Sequence, residues 1–124
     1  MVTGIGTDLI EFSRIEKVVS RLARRILTGE EISGMPSHPR RRLEFVAGRF
    51  AAKEAVSKAL GTGIGQSCSF QDITILNDRQ GKPVALLSSR LKHSLFADRN
   101  VHVHLSISHS EHYVLAMAVI EDDR

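Results

Sequence analysis

The sequence predicts an α+β fold in which an antiparallel sheet packs against one long helix. Residues 40–60 carry the longest helical pattern, rich in Ala, Leu, Glu, Lys and Arg, and they end at Gly61, a residue type favoured at helix C-termini. Residues 101–108 alternate apolar and polar side chains, and residues 113–121 are apolar enough to form a central strand paired with them as a hairpin. No repeat or linker divides the 124 residues, so we expect one domain over residues 1–124.

The first third of the chain predicts a strand followed by two helices. Residues 2–10 alternate small and apolar side chains around two glycines, which is typical of a strand ending at Asp8 or shortly after. Residues 11–25 then predict a helix. Thr28 and Glu31 have the spacing of a capping box, so a short second helix is expected to begin there, and the segment SGMPSHP ends it.

The middle of the chain predicts a second hairpin. Residues 70–76 (FQDITIL) alternate as a strand does, NDRQGKP is a turn, and VALL is the returning strand. Residues 88–97 predict a short helix. The final hairpin then turns across HSEH, which places residues 113–121 beside residues 101–108.

Composition and charge limit the classes of function. A formal net charge of +3 favours an acidic partner or substrate, while five Phe, one Tyr and no Trp leave little aromatic surface for stacking nucleic-acid bases. Cys68 is the only cysteine, which excludes an internal disulfide and a cysteine-rich zinc site. No run approaches a membrane span, and the N-terminus lacks a signal pattern. We therefore expect a cytoplasmic protein that binds neither membrane nor nucleic acid.

Glu54 lies on the apolar stripe of the long helix. At about 100° per residue it aligns with Leu43, Ala47 and Phe50. Burying a carboxylate is costly unless it is paired or binds a metal. A pair with Lys58, or a partner from Arg49, is the structural explanation. The functional explanation is that Glu54 is a metal ligand.

The position of Asp8 favours the explanation that Glu54 is a metal ligand. Asp8 is a second acid at the end of a glycine-flanked strand, where loops often carry functional sites. Two carboxylates suit Mg²⁺, which prefers oxygen ligands, keeps several waters and is often completed by substrate phosphates. Taken alone, Asp8 is equally suited to cap the helix that follows it.

The glycine-rich and histidine-rich segments carry weaker signals. GTGIG is not a P-loop, because it lacks the GK-Ser/Thr ending and follows a helix, so its glycines are either turn residues or points of close approach to a ligand. His102 and His104 share a strand face, but no acid or cysteine at a convincing spacing supports zinc. His109 follows the strand between two serines, where it either binds a phosphate or base or satisfies the turn.

A basic stripe and an apolar strand suggest contacts with partners. On one continuous helix, four basic residues would form a single stripe, either as a solvated face or as a docking surface for an acidic helix: Arg14, Lys17, Arg21 and Arg24. The strand YVLAMAVIE is apolar on both faces, and one long helix covers only one of them. A neighbouring subunit or another helix of the same chain would cover the second.

Five segments resemble, in order, the motifs of a known enzyme family. They cover most of the chain: GIGTDLIEFSRI, RILTGEE, EFVAGRFAAKEAVSKALGTGIG, FQDITILNDRQGKP and HLSISHSEHYVLAMAVIE. Together they resemble the bacterial holo-acyl-carrier-protein synthases, the small class of 4′-phosphopantetheinyl transferases. The resemblance implies the fold of that family. It also implies transfer of the 4′-phosphopantetheine arm from coenzyme A to a serine of acyl carrier protein, with release of adenosine 3′,5′-bisphosphate.

The resemblance further implies magnesium and a homotrimer whose sites lie between subunits. The family's metal-binding acids fall on Asp8 and Glu54, and its lysine near the phosphates falls on Lys58; these three are the implied catalytic residues. Besides Lys58, the implied coenzyme A contacts are Arg49 near the 3′-phosphate, Pro83 and His109 beside the nucleotide, and the loop glycines Gly61, Gly63 and Gly65. The carrier protein's acidic recognition helix would meet Arg14, Arg21 and Arg24.

Some points stay open at the level of sequence. Leu22 stands where relatives commonly have Phe, which bears on helix packing, and residues 32–40 follow no family pattern. The base that removes the serine proton is Asp8, Glu54 or a metal-bound water. Apart from the resemblance, a basic nucleic-acid-binding module and a metal-dependent phosphohydrolase are the competing functions, and the buried acids argue against the first.

Overall fold

The computed structural model describes residues 1–123 and combines helices with antiparallel sheet, as expected. The elements in chain order are β1 (Val2–Glu11), α1 (Phe12–Ile15), α2 (Val19–Ile26), α3 (Gly29–Ser33), α4 (Pro39–Leu60), β2 (Ile73–Asn77), β3 (Pro83–Leu87), α5 (Ser89–Phe96), β4 (Val101–His109) and β5 (Tyr113–Asp122). Short 3₁₀ helices occupy Glu16–Val18 and Phe70–Asp72. Within residues 1–123, no helix is long and apolar enough to span a membrane.

The main sheet has β5 at its centre, as the apolar pattern of residues 113–121 predicts. Its strand order is β1-β5-β4 with antiparallel pairing throughout, and β2 and β3 form a separate antiparallel pair. The inner face of β5 presents four buried apolar side chains to α4: Val114, Ala116, Ala118 and Ile120. In the pairing of β1 with β5, Asp8 lies directly opposite Ala116, so the Asp8 side chain is on the same face of the sheet as the buried residues of β5.

The α4 helix begins and ends with identifiable caps. His38 accepts a hydrogen bond from the backbone N–H of Arg41 at 3.3 Å, and Pro39 occupies the first turn, where its missing N–H has no cost. Gly61 ends the helix with φ +84° and donates its N–H to the Lys58 carbonyl at 3.0 Å. The sequence therefore predicted the end of α4 correctly and placed its start one residue late.

Two glycines bring β1 unusually close to α4. A Cβ built on Gly4 would lie 1.8 Å from the carbonyl oxygen of Ala59, and one on Gly6 would lie 2.0 Å from that of Ala55. Since real Cβ atoms do not approach backbone so closely, only glycine permits this packing. The close approach carries Asp8, two residues further along the strand, to the side of α4.

The single helix predicted over residues 11–25 is wrong. Strand β1 continues to Glu11, and the helical segment is divided by the 3₁₀ turn, with Ile15 at ψ −8° and Val18 at φ −118°. The β-branched residues around the break lose side-chain freedom in a helix, and helix propensity summed over the whole window hides this local weakness. The basic stripe is consequently not continuous, because Arg14 lies on α1 whereas Arg21 and Arg24 lie on α2.

Other boundaries agree with the sequence patterns or shift slightly. Thr28 and Glu31 form the predicted capping box, α5 falls within residues 88–97, and the β2–β3 and β4–β5 hairpins are present. Residues 70–72 form a 3₁₀ helix instead of the start of β2, because Asp72 turns back to accept the Ser69 N–H at 2.9 Å. Within the segment without a family pattern, α3 ends at Ser33 and α4 begins at Pro39.

Candidate active site

The carboxylate of Asp8 and the ammonium of Lys58 form the first part of the candidate site. Lys58 Nζ lies 3.2 Å from Asp8 Oδ1 and donates to the Thr7 carbonyl at 3.0 Å. The Asp8 side chain is 16% exposed and that of Lys58 is 51% exposed, so the pair lies at the rim of the β1–α4 contact. The predicted Glu54–Lys58 ion pair is thus replaced by a pair with Asp8.

The second carboxylate oxygen of Asp8 lacks a partner. Oδ2 is buried and accepts no hydrogen bond within the described residues. Because buried polar atoms are nearly always satisfied by protein, water or an ion, an orphaned carboxylate oxygen indicates a group that binds here.

Glu54 is the second acid of the site, beside Asp8, and lies on α4 one helical turn before Lys58. Desolvation raises the pKa of its carboxyl, the negative charge of Asp8 raises it further, and Lys58 acts in the opposite direction. Its carboxylate makes no hydrogen bond or ion pair in the described part of the chain. Glu54 is half-buried at the edge of the core and not inside it, which corrects the placement predicted from the apolar stripe.

The fully buried charge of α4 is Lys53, which the sequence patterns did not single out. Lys53 faces the smaller core cluster around Ile26 and Val46 and pairs with Glu31 at 2.7 Å, both side chains being 0% exposed. One residue corresponds to about 100° of helix rotation, so Lys53 and Glu54 lie on different sides of α4. The capping box was the only sequence signal at Glu31, and it gave no indication of the second partner.

The donor set of the site fits a hard divalent cation. Two carboxylates that repel each other, one with an orphaned oxygen, would be stabilised by such an ion, with further positions left for water or phosphate oxygens. Among residues 1–123, no cluster of three or more His, Cys, Asp or Glu side chains is arranged to hold a metal. His104 instead faces Glu121, with Nε2 and Oε1 2.5 Å apart, so the zinc hypothesis finds no support.

Arg49 and Pro83 lie near each other at one end of the β2–β3 hairpin. Arg49 Nη2 donates to Asn77 Oδ1 at 3.0 Å, and Asn77 is the register partner of Pro83. The guanidinium stacks 3.6 Å above the Phe45 ring, while its buried Nε has no acceptor. Desolvation lowers the pKa of Arg49. Arg49 does not pair with Glu54, and its unsatisfied donor is suited to an anion.

His109 lies well away from the acidic pair within one chain. Its Nε2 is 3.6 Å from Glu44 Oε2, and Glu44 precedes Glu54 by ten residues, or about 15 Å along the helix.

The three loop glycines differ in whether their backbone conformation requires glycine. Gly61 and Gly63 have positive φ values of 84° and 61°, whereas Gly65 has no such constraint, and a Cβ at any of the three would meet nothing within 4 Å.

Comparison with known proteins identifies the family. The model of the 4′-phosphopantetheinyl transferase superfamily matches residues 4–118. A holo-[acyl-carrier-protein] synthase of Bacillus cytotoxicus is 50% identical over 125 residues, covering 98% of this chain and 97% of that relative. The chain belongs to the holo-acyl-carrier-protein synthase family.

Solved structures of this synthase family share the fold. The enzyme from Bacillus anthracis, in complex with CoA (3′,5′-ADP), is 45% identical with a TM-score of 0.84 and covers 100% of this chain and 99% of its own. The Helicobacter pylori enzyme in complex with coenzyme A is 34% identical with a TM-score of 0.82, and the match covers 94% and 99% of the two chains. The predicted fold and family resemblance are confirmed.

A pocket of this synthase-family chain adjoins Glu54. Its volume is about 270 Å³, and its lining comes from three regions distant in sequence: Leu22 and Arg25, Phe50 and Glu54, and Ile64 and Phe70. Sequence reasoning did not predict Arg25, Ile64 or Phe70 at the site, because no periodic pattern links them. Four of its six lining side chains are apolar, and Glu54 and Arg25 add one carboxylate and one guanidinium.

A basic groove lies on the same side as the predicted docking residues. Its volume is about 700 Å³, and cationic side chains dominate its polar lining: Lys17, Arg21, Arg24, Arg40 and Arg42. The last two were not predicted as part of this surface, although the run RRR at 40–42 was a visible signal. The groove shows that the start of α4 and the end of α2 form one cationic surface in this synthase-family chain.

Proposed function

We propose that the protein transfers 4′-phosphopantetheine from coenzyme A to a serine of an apo acyl carrier protein, giving the holo carrier and adenosine 3′,5′-bisphosphate. The observation that carries the proposal is the cluster of Asp8, Glu54 and Lys58, in which two unequal acids and a lysine meet beside a pocket. The names of the relatives and their coenzyme A complexes support it.

Magnesium is the ion that this donor set suits. Asp8 would offer its orphaned Oδ2, and Glu54 would offer a carboxylate without an ion pair. Bound there, the metal supplies Lewis-acid polarisation of a phosphoryl oxygen and neutralises its charge. The two acids hold this position rigidly, since one is on a strand and the other on the helix against which that strand packs.

Lys58 contributes electrostatic stabilisation directly. An ammonium has three N–H donors, of which Asp8 and Thr7 accept two, so the third is free for a phosphate oxygen. Because the side chain is held at both contacts, little reorganisation is needed when charge develops on the phosphoryl group. Transfer then depends mainly on positioning the serine oxygen in line with the phosphorus.

The remaining coenzyme A contacts are proposed on the same basis. Arg49 offers its unsatisfied Nε to the 3′-phosphate, with Pro83 close by, and Gly61, Gly63 and Gly65 present open backbone to the ligand. His109 belongs to the same site only when it comes from a neighbouring subunit, because within one chain it lies beside Glu44. This separation supports sites shared between subunits.

The outer face of the main sheet supports a homotrimer. Four apolar side chains on this face are between 44% and 66% exposed: Ile5, Leu9, Leu115 and Met117. Leu9 lies directly opposite Leu115, and Met117 is opposite Thr7, so the side chains form one continuous patch. Since α4 covers the other face, no helix of the described chain covers this one, and a second copy is the proposed occupant.

The carrier protein is proposed to dock along the broken basic stripe. Arg21 and Arg24 line the 700 Å³ groove, and Arg14 is displaced onto α1. An acidic helix would be attracted there by long-range electrostatics that salt weakens. We place the reaction in the cytoplasm, in keeping with a chain whose one cysteine, Cys68, is buried and free.

Intact mass measurement of the carrier tests the function. The protein is incubated with coenzyme A, Mg²⁺ and an apo carrier protein, and the expected result is a carrier heavier by one phosphopantetheine, with adenosine bisphosphate released. Omission of Mg²⁺ is the control. Release of phosphate with an unmodified carrier would indicate a phosphohydrolase, and salt-sensitive nucleic-acid binding without transfer would indicate a binding module.

A further inference from the structure

The buried Lys53–Glu31 pair satisfies all its polar groups with atoms from five elements. Lys53 Nζ, on α4, donates to the Ile26 carbonyl at 2.6 Å, to Glu31 Oε1 at 2.7 Å and to the Phe70 carbonyl at 3.1 Å. Glu31 Oε1 also accepts from the Thr28 N–H, and Oε2 accepts from the Ile75 N–H, each at 2.7 Å. One ion pair thus joins α4 to the end of α2, α3, the second 3₁₀ helix and β2.

Three of these elements, α2, α4 and the second 3₁₀ helix, also line the pocket beside Glu54. Lys53 is its immediate neighbour in sequence. Leu22 and Arg25 of α2 and Phe70 of the 3₁₀ helix line the pocket beside Glu54, and the rings of Phe50 and Phe70 are 5.9 Å apart. The two carbonyls that Lys53 holds therefore belong to two walls of this pocket.

Stability alone does not account for an ion pair in this place. Removing two charges from water costs about as much as their attraction returns, and apolar pairs of similar volume are often at least as stable. What the pair supplies is geometry, since three donors and their acceptors admit only one arrangement of α2, the 3₁₀ helix and α4.

We propose that Lys53 and Glu31 are a positioning pair, which sets the carrier-docking helix α2 at a fixed distance from Glu54. The inference rests on the proposed function, because it takes Arg21 and Arg24 as carrier contacts and Glu54 as part of the reacting centre. A carrier docked on α2 then presents its serine in register with the phosphoryl group. Without the pair, carrier and coenzyme A still bind, but the serine and phosphorus are misaligned.

The double variant Lys53→Met/Glu31→Gln tests the pair. It removes both charges while keeping both side-chain volumes nearly unchanged, whereas either single variant leaves a buried charge unpaired and risks unfolding. The measurements are kcat at saturating substrates, carrier affinity by fluorescence anisotropy without coenzyme A or metal, and coenzyme A affinity by calorimetry. We expect kcat to fall about tenfold or more, with both dissociation constants within about threefold of wild type.

The matched control is Val56→Ala, which makes a cavity on α4 facing the other core cluster. It lowers stability while leaving every contact of the Lys53–Glu31 pair in place, so its kcat should stay near wild type. The inference is overturned if the folded double variant keeps wild-type kcat, if Val56→Ala loses as much, or if both affinities fall in parallel with kcat. Wild type that transfers no phosphopantetheine would overturn the proposed function instead.

A second variant decides the question if the double variant does not fold. Gln71 is exposed, and its Nε2 donates to the carbonyls of Arg25 at 3.3 Å and Leu27 at 3.1 Å, a second link between the 3₁₀ helix and the end of α2. Gln71→Ala should fold and lower kcat two- to threefold, with carrier affinity unchanged. An unchanged kcat in Gln71→Ala would then overturn the inference.

Discussion

At the scale of single residues, the sequence singled out two acids that the structure brings near each other, but not their pairing with Lys58. Glu54 stands out because an unpaired acid is rarely buried on an apolar helical stripe, and Asp8 because it is a second acid at the end of a glycine-flanked strand. Which acid Lys58 pairs with depends on how closely β1 approaches α4, and this distance is not a property of either segment alone. Lys53 was missed for a related reason, since its acceptors come from residues 26, 31 and 70.

Replacing Glu54 by glutamine tests its role as a metal ligand. The amide has nearly the same shape but no charge, so we expect Glu54→Gln to lose most turnover while the fold is kept. Magnesium should raise the melting temperature of the wild type, because it binds only the folded state, and should raise that of the variant much less. Differential scanning fluorimetry with a magnesium titration measures this, with the exposed acid changed in Glu30→Gln as the control. Near-wild-type transfer at limiting magnesium would contradict the assignment.

The same variant has a predicted pH signature without metal. Folding raises the pKa of Glu54, chiefly through desolvation, so the folded state binds its proton more tightly than the unfolded state. The wild type therefore loses stability as pH rises from the ordinary glutamate range towards the raised pKa, and Glu54→Gln does not. Urea unfolding in chelator should show the variant equally stable at low pH and more stable at neutral pH. A difference that shrinks as pH rises would contradict the predicted environment.

At the scale of elements, sequence patterns correctly predicted the features that depend on neighbouring residues alone. Alternation predicted the β4–β5 hairpin, and the Gly61 stop predicted the end of α4. The division of residues 11–25 was not predicted, because it results from a few β-branched residues within an otherwise favourable window. Nor did the glycines of β1 reveal their purpose, since the carbonyls they approach lie more than 45 residues away.

The β1–α4 contact predicts a sharp contrast between two glycine variants. Gly6→Ala places a Cβ against the backbone of Ala55, which cannot move aside as a flexible side chain would. We expect it to cost about 2–3 kcal/mol of unfolding free energy and to lower transfer by displacing Asp8. Gly29→Ala meets nothing within 4 Å and should cost nothing. Urea denaturation of both variants measures the difference, and equal stabilities would contradict the packing described.

Charge reversal on the broken basic stripe tests carrier docking. Arg14→Glu/Arg21→Glu should raise KM for the carrier protein at least tenfold and leave KM for coenzyme A within about twofold, because the attraction is confined to one surface. Rising salt should weaken the wild type in the same direction. The control Arg79→Glu/Lys92→Glu makes the same change in net charge at exposed positions away from α1 and α2. Equal effects on both substrates would indicate a folding defect instead.

At the scale of the whole molecule, the candidate site and the outer face of the main sheet both bear on whether the chain assembles with further copies. The pocket and the apolar patch lie between elements distant in sequence, so no local pattern could predict their shapes, whereas the basic groove joins two neighbouring stretches of the chain. The apolar character of residues 113–121 nevertheless predicted that one face of β5 would need a cover. The structure leaves this face open and keeps His109 apart from Glu54, and both observations are what the proposed sharing of sites between copies requires.

Assembly can therefore be separated from chemistry with one substitution on the patch. Leu115→Glu places a charge on the outer face, where Leu9 is its cross-strand neighbour, whereas Asp8 and Lys58 lie on the opposite, inner side of the sheet. Because closed symmetry makes every interface alike, this change should disrupt all three interfaces together. Sedimentation velocity at micromolar concentration should show a trimer for the wild type and a monomer for Leu115→Glu, with little transfer activity in the monomer.

The control for assembly is an equal charge placed on another exposed apolar residue. Leu86 of β3 is about as exposed as Leu115 but belongs to the smaller sheet, so Leu86→Glu should remain trimeric and active. Mixing Leu115→Glu with an inactive Glu54→Gln chain should not restore transfer, because the first chain cannot join a trimer. A folded Leu115→Glu monomer with full activity would show that one chain holds a complete site, and His109 would then have no role in transfer.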